Sequence, residues 1–314
     1  MIERRIRRPL VMIAVMSATF MISIEATIVS TAMPQIAAQL GDLHLYSWVF
    51  AAFLLAQTAT TIVYGKLADM FGRKPVLLVG VAIFLVGSVL CGLATSMAAL
   101  IGFRLLQGIG AGAILPVSLT VVGDLYPGHE RGKVQGYLSS VWGVSSLLGP
   151  LAGGLIVQHL SWAWVFWINL PVGVVCVALF LLFLHERVAR TDRRVDVPGA
   201  VLFTVSVAAL MTALTELGTS DLNAFLAAAI AVVCGAAFVW QERRAVDPMV
   251  AFDLWARRSI ATANAATLLS GMALIGLSAF LPMYVQGVLN RSARRPCCCC
   301  SRVRRRSWPA PARW

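Results

Sequence analysis

The sequence predicts an all-α integral membrane protein, and three observations lead to this fold class. Hydrophobic residues make up 59% of the 314 positions and charged residues 13%, so a water-soluble fold would lack the polar residues needed to cover its exterior. Apolar runs of about 20 residues, the length that crosses a bilayer, recur from Leu10 into the 280s. Such a series is too long for one signal peptide or anchor. We therefore expect about nine membrane-spanning helices.

Short polar segments separate the predicted helices. We place the helices, within a few residues at each end, at 10–32, 47–64, 76–95, 98–122, 134–157, 162–184, 198–217, 222–240 and 260–289. Each stretch is long and apolar enough to span the hydrocarbon core.

Basic residues lie in every second connection between these helices. They are Arg4, Arg5, Arg7 and Arg8 before the first helix, Lys66, Arg73 and Lys74 after the second, Arg131 and Lys133 after the fourth, Arg187, Arg190, Arg193 and Arg194 after the sixth, and Arg243, Arg244, Arg257 and Arg258 after the eighth. The alternate connections contain no Lys or Arg. Because Lys and Arg concentrate on the cytoplasmic side, we predict a cytoplasmic N-terminus in the bacterial inner membrane. The loops near Gly41 and Ser220 should then be external, and those near Arg73 and Arg190 internal.

The net charge of +12 does not indicate a nucleic-acid partner. Eight Arg and no acidic residue fall in residues 290–314, and the rest of the chain has no basic face interleaved with aromatic residues. Cys91, Cys176 and Cys234 occur singly in apolar helices, where cysteine acts as a small hydrophobic residue rather than a metal ligand. We find no nucleotide-binding loop, catalytic triad or metal cluster, so an enzyme or ATP-driven pump is disfavoured.

The connection between the second and third helices reads GKLADMFGRKP over 65–75. Its glycines, Gly65 and Gly72, allow a tight turn and close helix approach. Asp69 can accept hydrogen bonds from Arg73 or from the N-terminus of a facing helix. A basic loop that only fixes topology is the alternative interpretation.

The fourth predicted helix contains an arginine, Arg104, in the segment RLLQGIGAGA. An arginine inside lipid costs about 2.5–3.5 kcal/mol on insertion scales, so it is expected to face a cavity or an acidic residue. Extension of the side chain to the outer headgroups is the alternative. At 1.5 Å per residue, Arg104 lies about 9 Å and Glu25 of the first helix about 8 Å from the outer edge of the core. An ion pair between them is therefore geometrically possible.

The fifth predicted helix carries GVSSLLGPLAGG over 143–154. Small residues let two helices pack backbone to backbone, and a proline such as Pro150 introduces a bend. Ordinary small-residue packing is the alternative, since Gly and Pro are frequent in membrane helices.

These segments together resemble motifs of the major facilitator superfamily. The 65–75 loop is similar to its signature loop, and the helix of Arg104 to its Arg-Gln-Gly helix. The segment around Glu25 and the one at 143–154 resemble motifs of its drug:proton antiporters, although Asp usually stands where Glu25 is. WAWVFWINLPVG at 162–173 is a further resemblance to the family, which commonly has Arg where Ala163 stands. The helix that starts at Asp196 resembles one found in the fourteen-helix EmrB/QacA-type branch. The resemblance extends from about residue 10 to residue 290.

The resemblance implies a major facilitator fold with defined parts. Residues 1–190 would form an N-terminal six-helix bundle of inverted three-helix repeats, 191–245 two inserted linker helices, and 246–289 the first helix of an incomplete C-terminal bundle. Residues 290–314 would be an aberrant tail rich in Arg, Cys and Pro. The implied function is proton-coupled export, by antiport, of hydrophobic or cationic drugs, with the proton gradient as energy source and no cofactor. Partners would be small-molecule drugs, protons and the lipid bilayer, with an envelope efflux partner protein as a further candidate.

The resemblance also implies roles for individual residues. The proton-coupling pair would be Glu25 and Arg104, because the proton affinity of a buried carboxyl depends on whether an arginine lies beside it. Other implied groups are the substrate cavity at Gln57 and Gln107, the cytoplasmic gate at Gly65, Asp69, Gly72, Arg73 and Lys74, and the antiporter motif at Gly143, Gly149, Pro150, Gly153 and Gly154.

The tail departs from this pattern. Its four contiguous Cys at 297–300 lack the two-residue spacers that let thiolates bind one tetrahedral ion. Tandem TGC codons read as Leu or Ala in the other two frames, which are residues a tenth helix would use, so we expect a shifted reading frame or truncated gene. Such a product would lack the helices that pack against the Asp69 loop and against Gly149 to Gly154. We expect the small-residue face of the fifth helix to meet lipid instead, and we expect the product not to export by itself.

Two other functions stay open. The chain could be a gene remnant or membrane interaction partner that transports nothing, or a facilitator-family nutrient importer. The fifth-helix motif favours export.

Overall fold

The computed structural model describes residues 2–184, 197–216, 221–244 and 257–287. Throughout these residues the regular structure is helical, and no strand occurs in them. The all-α fold class predicted from the sequence is thereby confirmed.

Ten α-helices and one short 3₁₀ turn make up the described residues. They are α1 Ile2–Leu40, the 3₁₀ turn Leu43–Leu45, α2 Tyr46–Phe71, α3 Arg73–Gly92, α4 Met97–Leu125, α5 Gly128–His159, α6 Trp164–Trp167, α7 Asn169–Phe183, α8 Val197–Glu216, α9 Asp221–Arg244 and α10 Arg258–Gly287. In this part of the chain, eight spans are long and apolar enough to cross a membrane, with α6 and α7 together forming the sixth, Trp164–Phe183. α10 corresponds to the ninth predicted helix.

Several helices extend beyond the predicted spans into the polar residues that flank them. α1 begins at Ile2 and α5 at Gly128, although the predicted spans begin at 10 and 134. Gly72 alone separates α2 from α3, at φ 94° and ψ 157°, a conformation that favours glycine. The sixth predicted helix is interrupted at Ile168, which divides it into α6 and α7.

Two sets of helix contacts hold α1 to α7 together, one centred on α4 and the other on α1. α4 lies between α2 and α3, and α1 contacts α4, α5 and α7. Glycines make the first contact close: a Cβ on Gly110 would lie 2.3 Å from the backbone nitrogen of Phe84, and one on Gly112 would lie 2.1 Å from Thr60 Oγ1. α8 and α9 form a hairpin beside α2, and α10 contacts α1.

Two apolar clusters form the core and divide α1 between them. One includes Val11 to Ile22 of α1 with α3, α4 and the later part of α7. The other includes Ile28 to Ala37 with the beginning of α4 and the α6 region. The segment between Ile22 and Ile28 therefore lies where the two clusters meet, and it contains Glu25.

The predicted domain division stays a prediction. Its boundaries near residues 190 and 245 fall in 185–196 and 245–256, which lie outside the described residues. The loop at Ser220, predicted to be external, and the tail 290–314 lie outside them as well.

Candidate functional site

The structure brings Glu25 of α1 and Arg104 of α4 together between the two apolar clusters. Arg104 Nη1 donates a hydrogen bond to Glu25 Oε1 over 2.6 Å. The side chain of Glu25 is fully buried and that of Arg104 is 2% exposed. Arg104 thus lies inside the bundle rather than extending to the headgroups.

Arg104 is held by several further groups. Its Nη1 also donates to Gln107 Oε1 at 2.8 Å, and its Nε donates to the carbonyl oxygen of Val49 at 3.4 Å. The guanidinium carbon lies 4.4 Å from the ring centroid of Phe53 and 5.8 Å from that of Phe166. Contacts of a cation with aromatic faces are favourable, more so when water is excluded. Groups from α2, α4 and α6 therefore position the cation that faces Glu25.

The second carboxylate oxygen of Glu25 has a partner on a third helix. Nδ2 of Asn169, the first residue of α7, donates to Glu25 Oε2. The same nitrogen lies 3.4 Å from Ser88 Oγ of α3, and Gln107 Nε2 donates to that oxygen at 2.7 Å. The thiol of Cys91 lies 3.7 Å from Gln107 Oε1. The ion pair is thus part of a polar network that joins α1, α3, α4 and α7.

Glycines in α3 and α4 allow these side chains to meet. A Cβ on Gly108 would lie 2.4 Å from the carbonyl oxygen of Phe53, and one on Gly87 would lie 2.6 Å from Cα of Gln107. Side chains at these two positions would push α2 and α3 away from α4. Without that close approach, Phe53 could not reach Arg104, and Ser88 could not reach Gln107.

The network compensates the cost of burying two charges. Removing an ion pair from water is expensive, and the mutual attraction offsets this cost only when the remaining polar atoms also find partners. Here each oxygen of Glu25 receives a hydrogen bond, and Arg104 contacts an amide, a carbonyl and two rings. The site can therefore hold a carboxylate within an apolar core.

The two glutamines predicted for the substrate cavity occupy different environments. Gln107 is fully buried in the ion-pair network. Gln57 is partly buried on α2, and its backbone carbonyl oxygen accepts a hydrogen bond from Thr61 Oγ1 at 2.8 Å. The network therefore contains Gln107, and the contacts described for Gln57 lie apart from it.

The glycine-rich segment of α5 packs against α1. A Cβ on Gly149 would lie 2.0 Å from Thr27 Oγ1, and one on Gly153 would lie 3.2 Å from the carbonyl oxygen of Ile28. Gly154 is also buried, whereas Gly143 is exposed with open space around it. The expectation that this face is left against lipid is therefore wrong for Gly149 and Gly153, because α1 covers them. Pro150 lies within α5, which is assigned as one helix from Gly128 to His159.

Hydroxyl groups join α5 to α1 near the same place. Ser23 Oγ and Ser145 Oγ are 2.7 Å apart, and Thr27 Oγ1 donates to the carbonyl oxygen of Ser145 at 3.1 Å. Because Ser23 and Thr27 flank Glu25 on α1, α5 is bonded to the same part of α1 that carries the ion pair.

The predicted gate residues lie at the other end of α2 and α3. Arg73 Nη2 is 3.1 Å from Asp124 Oδ2 near the end of α4. Lys74 Nζ donates to the carbonyl oxygen of Leu181 in α7 at 2.9 Å. Gly65 has open space around it and Asp69 is exposed. The loop is therefore bonded to α4 and α7, and Asp124 was not predicted as its partner.

Comparison with known proteins assigns the family. The Major Facilitator Superfamily profile matches residues 15–295. The chain belongs to the major facilitator superfamily. It is a multi-pass membrane protein of a transporter family, which is a class of proteins distinct from enzymes.

Individual relatives within the superfamily are longer than this chain. Multidrug resistance protein 3 of Bacillus subtilis (strain 168) is 40% identical over 288 residues, which cover 90% of this chain and 56% of the relative. Multidrug transporter protein MdtP of the same strain is 36% identical over 295 residues, with 91% and 54% covered. The chain spans about half the length of the curated relatives it matches. A crystal structure of a bacterial homologue of the human lysosomal transporter Spinster, inward-facing and unoccupied, is 20% identical, with a TM-score of 0.48, covering 70% of this chain and 55% of that one.

Three members of the polar network were not predicted from the sequence as site residues, namely Ser88, Cys91 and Asn169. Asn169 belongs to the motif at 162–173, for which no role of this side chain was predicted. An asparagine and a serine inside strongly apolar helices are a signal, because polar groups buried in a membrane bundle need partners. The presence of these polar residues does not identify their partners, because the sequence does not show how each helix is rotated about its axis.

Proposed function

We propose that this chain forms the N-terminal part of a proton-coupled exporter of hydrophobic or cationic drugs, in which Glu25 exchanges the proton and Arg104 is its counter-ion. The observation that carries the proposal is the buried Glu25–Arg104 pair at 2.6 Å. An ionisable pair within membrane helices is costly and is typical of proton relays and substrate pathways. The names of the Bacillus subtilis relatives, a multidrug resistance protein and a multidrug transporter, support drugs as the substrate class.

Protonation of Glu25 would remove one charge from this pair. The attraction between α1 and α4 would then weaken, while Arg104 would keep Gln107, the Val49 carbonyl and the rings of Phe53 and Phe166. Arg104 would therefore stay on its own side of the site, and α1 is the element released. Since α1 also contacts α5 and α7, the protonation state would bias the packing of those helices, which is what exchange of a proton for a substrate requires.

The remaining assignments complete the proposal. In this proposal the N-terminus is cytoplasmic, which the alternating Lys and Arg support, and the membrane is a bacterial inner membrane, which the Bacillus subtilis relatives support. The cytoplasmic gate then consists of Gly65, Asp69, Gly72, Arg73 and Lys74. The contact that would break and form again as the gate opens and closes is the Arg73–Asp124 pair. The α5 motif from Gly143 to Gly154 adjusts against α1, with Gly149 and Gly153 at the contact. Gln57 and Gln107 face substrate at some stage of the cycle, which for Gln107 requires rearrangement of the network.

The test is a transport assay with Glu25→Gln. Residues 1–287 are joined to the corresponding C-terminal part of Multidrug resistance protein 3, and efflux of a fluorescent cation is followed under an imposed pH gradient. The 314-residue chain is assayed in parallel. We expect Glu25→Gln to reduce efflux to the rate seen without a gradient, because a glutamine cannot bind and release a proton.

The matched control is Glu130→Gln, the same substitution at a carboxylate that is 44% exposed near the start of α5. It should leave efflux unchanged. Equal amounts of inserted protein are confirmed by quantifying the purified membranes. Gradient-driven efflux by Glu25→Gln at the parental rate would show that Glu25 is not the coupling acid.

A further inference from the structure

Asn169 contacts the Glu25 carboxyl directly and is fully buried. Its Nδ2 donates to Glu25 Oε2 on the side of the carboxyl opposite the contact with Arg104. Its Oδ1 is buried and has no hydrogen-bond partner among the described residues. A buried acceptor left without a partner is unfavourable, because no hydrogen bond offsets its loss of contact with water. The amide is thus satisfied on one side only while Glu25 is a carboxylate.

We propose that Asn169 is a positioning residue that responds to the protonation of Glu25 by rotating its side-chain amide. The proposal rests on the proposed function, in which Glu25 gains and loses a proton. A carboxylate only accepts hydrogen bonds, whereas a protonated carboxyl carries one O–H donor. An amide has a donor end and an acceptor end of nearly the same shape. Rotation by half a turn about the Cβ–Cγ bond therefore exchanges the group that faces Glu25.

The step involves one proton and no other covalent change. A proton from water adds to Glu25 Oε2, and the hydrogen bond from Asn169 Nδ2 to that oxygen is lost. The amide then rotates, and Oδ1 accepts the new O–H donor of Glu25. Loss of the proton reverses the sequence. Oδ1, which is unpartnered in the carboxylate form, thereby accepts from Glu25 in the protonated form, and Nδ2 moves to the position that Oδ1 occupied.

Ser88 can accommodate both orientations of the amide. In the carboxylate form its Oγ accepts from Gln107 Nε2 at 2.7 Å and lies 3.4 Å from Asn169 Nδ2. A hydroxyl carries one donor as well as two acceptor sites, so Ser88 can donate to Asn169 Oδ1 after the rotation. Gln107, which donates to Ser88, also accepts from Arg104. The state of Glu25 would therefore be passed from α1 to α7, and through Ser88 to α3.

Few ionisable groups surround Glu25 to compete with this response. α4 contributes Arg104, and α3 contributes the thiol of Cys91 through Gln107. In the described residues, the nearby groups from α2, α5 and α7 are the Val49 carbonyl, Ser145 and Asn169, and none of them titrates. By sequence α6 has no ionisable residue, and α10 has only Arg258 and Tyr284.

The response can be measured on the unmodified 314-residue chain by infrared difference spectroscopy across a pH titration. The chain is produced with asparagine labelled at the side-chain carbonyl, which marks four residues, Asn169, Asn223, Asn264 and Asn290. We expect a C=O band of a protonated carboxyl to appear on acidification and a labelled amide band to shift with the same midpoint. Both changes should be absent from Glu25→Gln.

Variants assign the amide band. Asn169→Leu removes donor and acceptor at nearly constant size, so it should abolish the labelled shift and move the protonated-carboxyl band to higher frequency through loss of its acceptor. Asn169→Ala provides the same test if the leucine variant fails to insert. Asn223→Leu is the matched control, because it changes an exposed asparagine of α9 and should leave both bands as in the parent.

The outcomes separate this proposal from the one on which it rests. A carboxyl band that is removed by Glu25→Gln, with no labelled amide shift in the parent, would overturn the role of Asn169 and leave the coupling role of Glu25 standing. A carboxyl band of unchanged frequency in Asn169→Leu would also overturn it. Absence of any Glu25-dependent band would overturn the coupling role itself, and the role of Asn169 with it.

Discussion

Among the described residues, the Glu25–Arg104 and Arg73–Asp124 ion pairs lie in contrasting surroundings. Glu25 and Arg104 are 0% and 2% exposed and their atoms are 2.6 Å apart, whereas the side chains of Arg73 and Asp124 are 30% and 53% exposed and 3.1 Å apart. The buried pair is embedded in hydrogen bonds that reach three further helices. The exposed pair is open to its surroundings on both side chains. Removing one partner should therefore cost much more stability in the buried pair than in the exposed pair, although the distances between the charges are similar.

The largest effect should come from breaking the buried pair on one side only. Arg104→Met leaves the Glu25 carboxylate without its counter-ion, and removing one partner of a buried pair typically costs about 3–5 kcal/mol. Glu25→Gln combined with Arg104→Met removes both charges and should lose much less stability than Arg104→Met alone. The measurement is the thermal unfolding midpoint of the purified chain in detergent micelles.

Arg258→Met is a suitable control for that experiment, since Arg258 is an exposed arginine at the start of α10. It should unfold close to the parent. If the double variant were as unstable as Arg104→Met, the loss would arise from packing around residue 104 rather than from an uncompensated carboxylate.

The depth of Glu25 and Arg104 along their helices was predictable from the sequence, but the residues that surround the pair were not. Because the rise per residue of a helix is fixed, counting along α1 and α4 placed Glu25 and Arg104 at similar depth. Which faces of the helices meet depends on packing, and here Gly108 and Gly87 set how closely α2 and α3 approach α4. Asn169 could not be placed in the site, because its direction depends on the interruption at Ile168, which apolar periodicity does not reveal.

The helices themselves were more predictable than their ends or partners. Long apolar runs require spanning helices, and the structure has a helix at each predicted span. The early start of α5 follows from its short connection to α4, and α1 continues back through the charged residues that precede its apolar run. A hydropathy pattern describes neither feature. The partner of the α5 motif was also not predictable from composition, because small residues indicate close packing without identifying the neighbouring helix.

A smaller loss of stability is expected at the contact between α1 and α5, which depends on close packing rather than on charge. Gly149→Ala places a Cβ 2.0 Å from Thr27 Oγ1 and 2.7 Å from Thr27 Cβ, so α1 and α5 must shift. Overpacking of this kind costs about 1–3 kcal/mol. Gly143→Ala, in the same helix but with nothing within 4 Å, should be neutral or stabilising. The unfolding midpoints of the two variants are compared, and equal midpoints would show that α5 is not tightly packed on α1.

The smallest effect should come from the exposed pair. Arg73→Ala removes the contact with Asp124, and solvent-exposed pairs contribute about 0–1 kcal/mol. Because salt screens exposed charges far more than buried ones, the difference between Arg73→Ala and the parent should shrink as sodium chloride is raised, whereas that of Arg104→Met should persist. Asp124→Asn removes the same pair from the other side and should show the same salt response as Arg73→Ala. The measurement is the unfolding midpoint of each chain at low and high salt. A loss in Arg73→Ala as large and as salt-independent as that in Arg104→Met would mean that the end of α4 is held as tightly as the buried site, and the contrast between the two regions would fail.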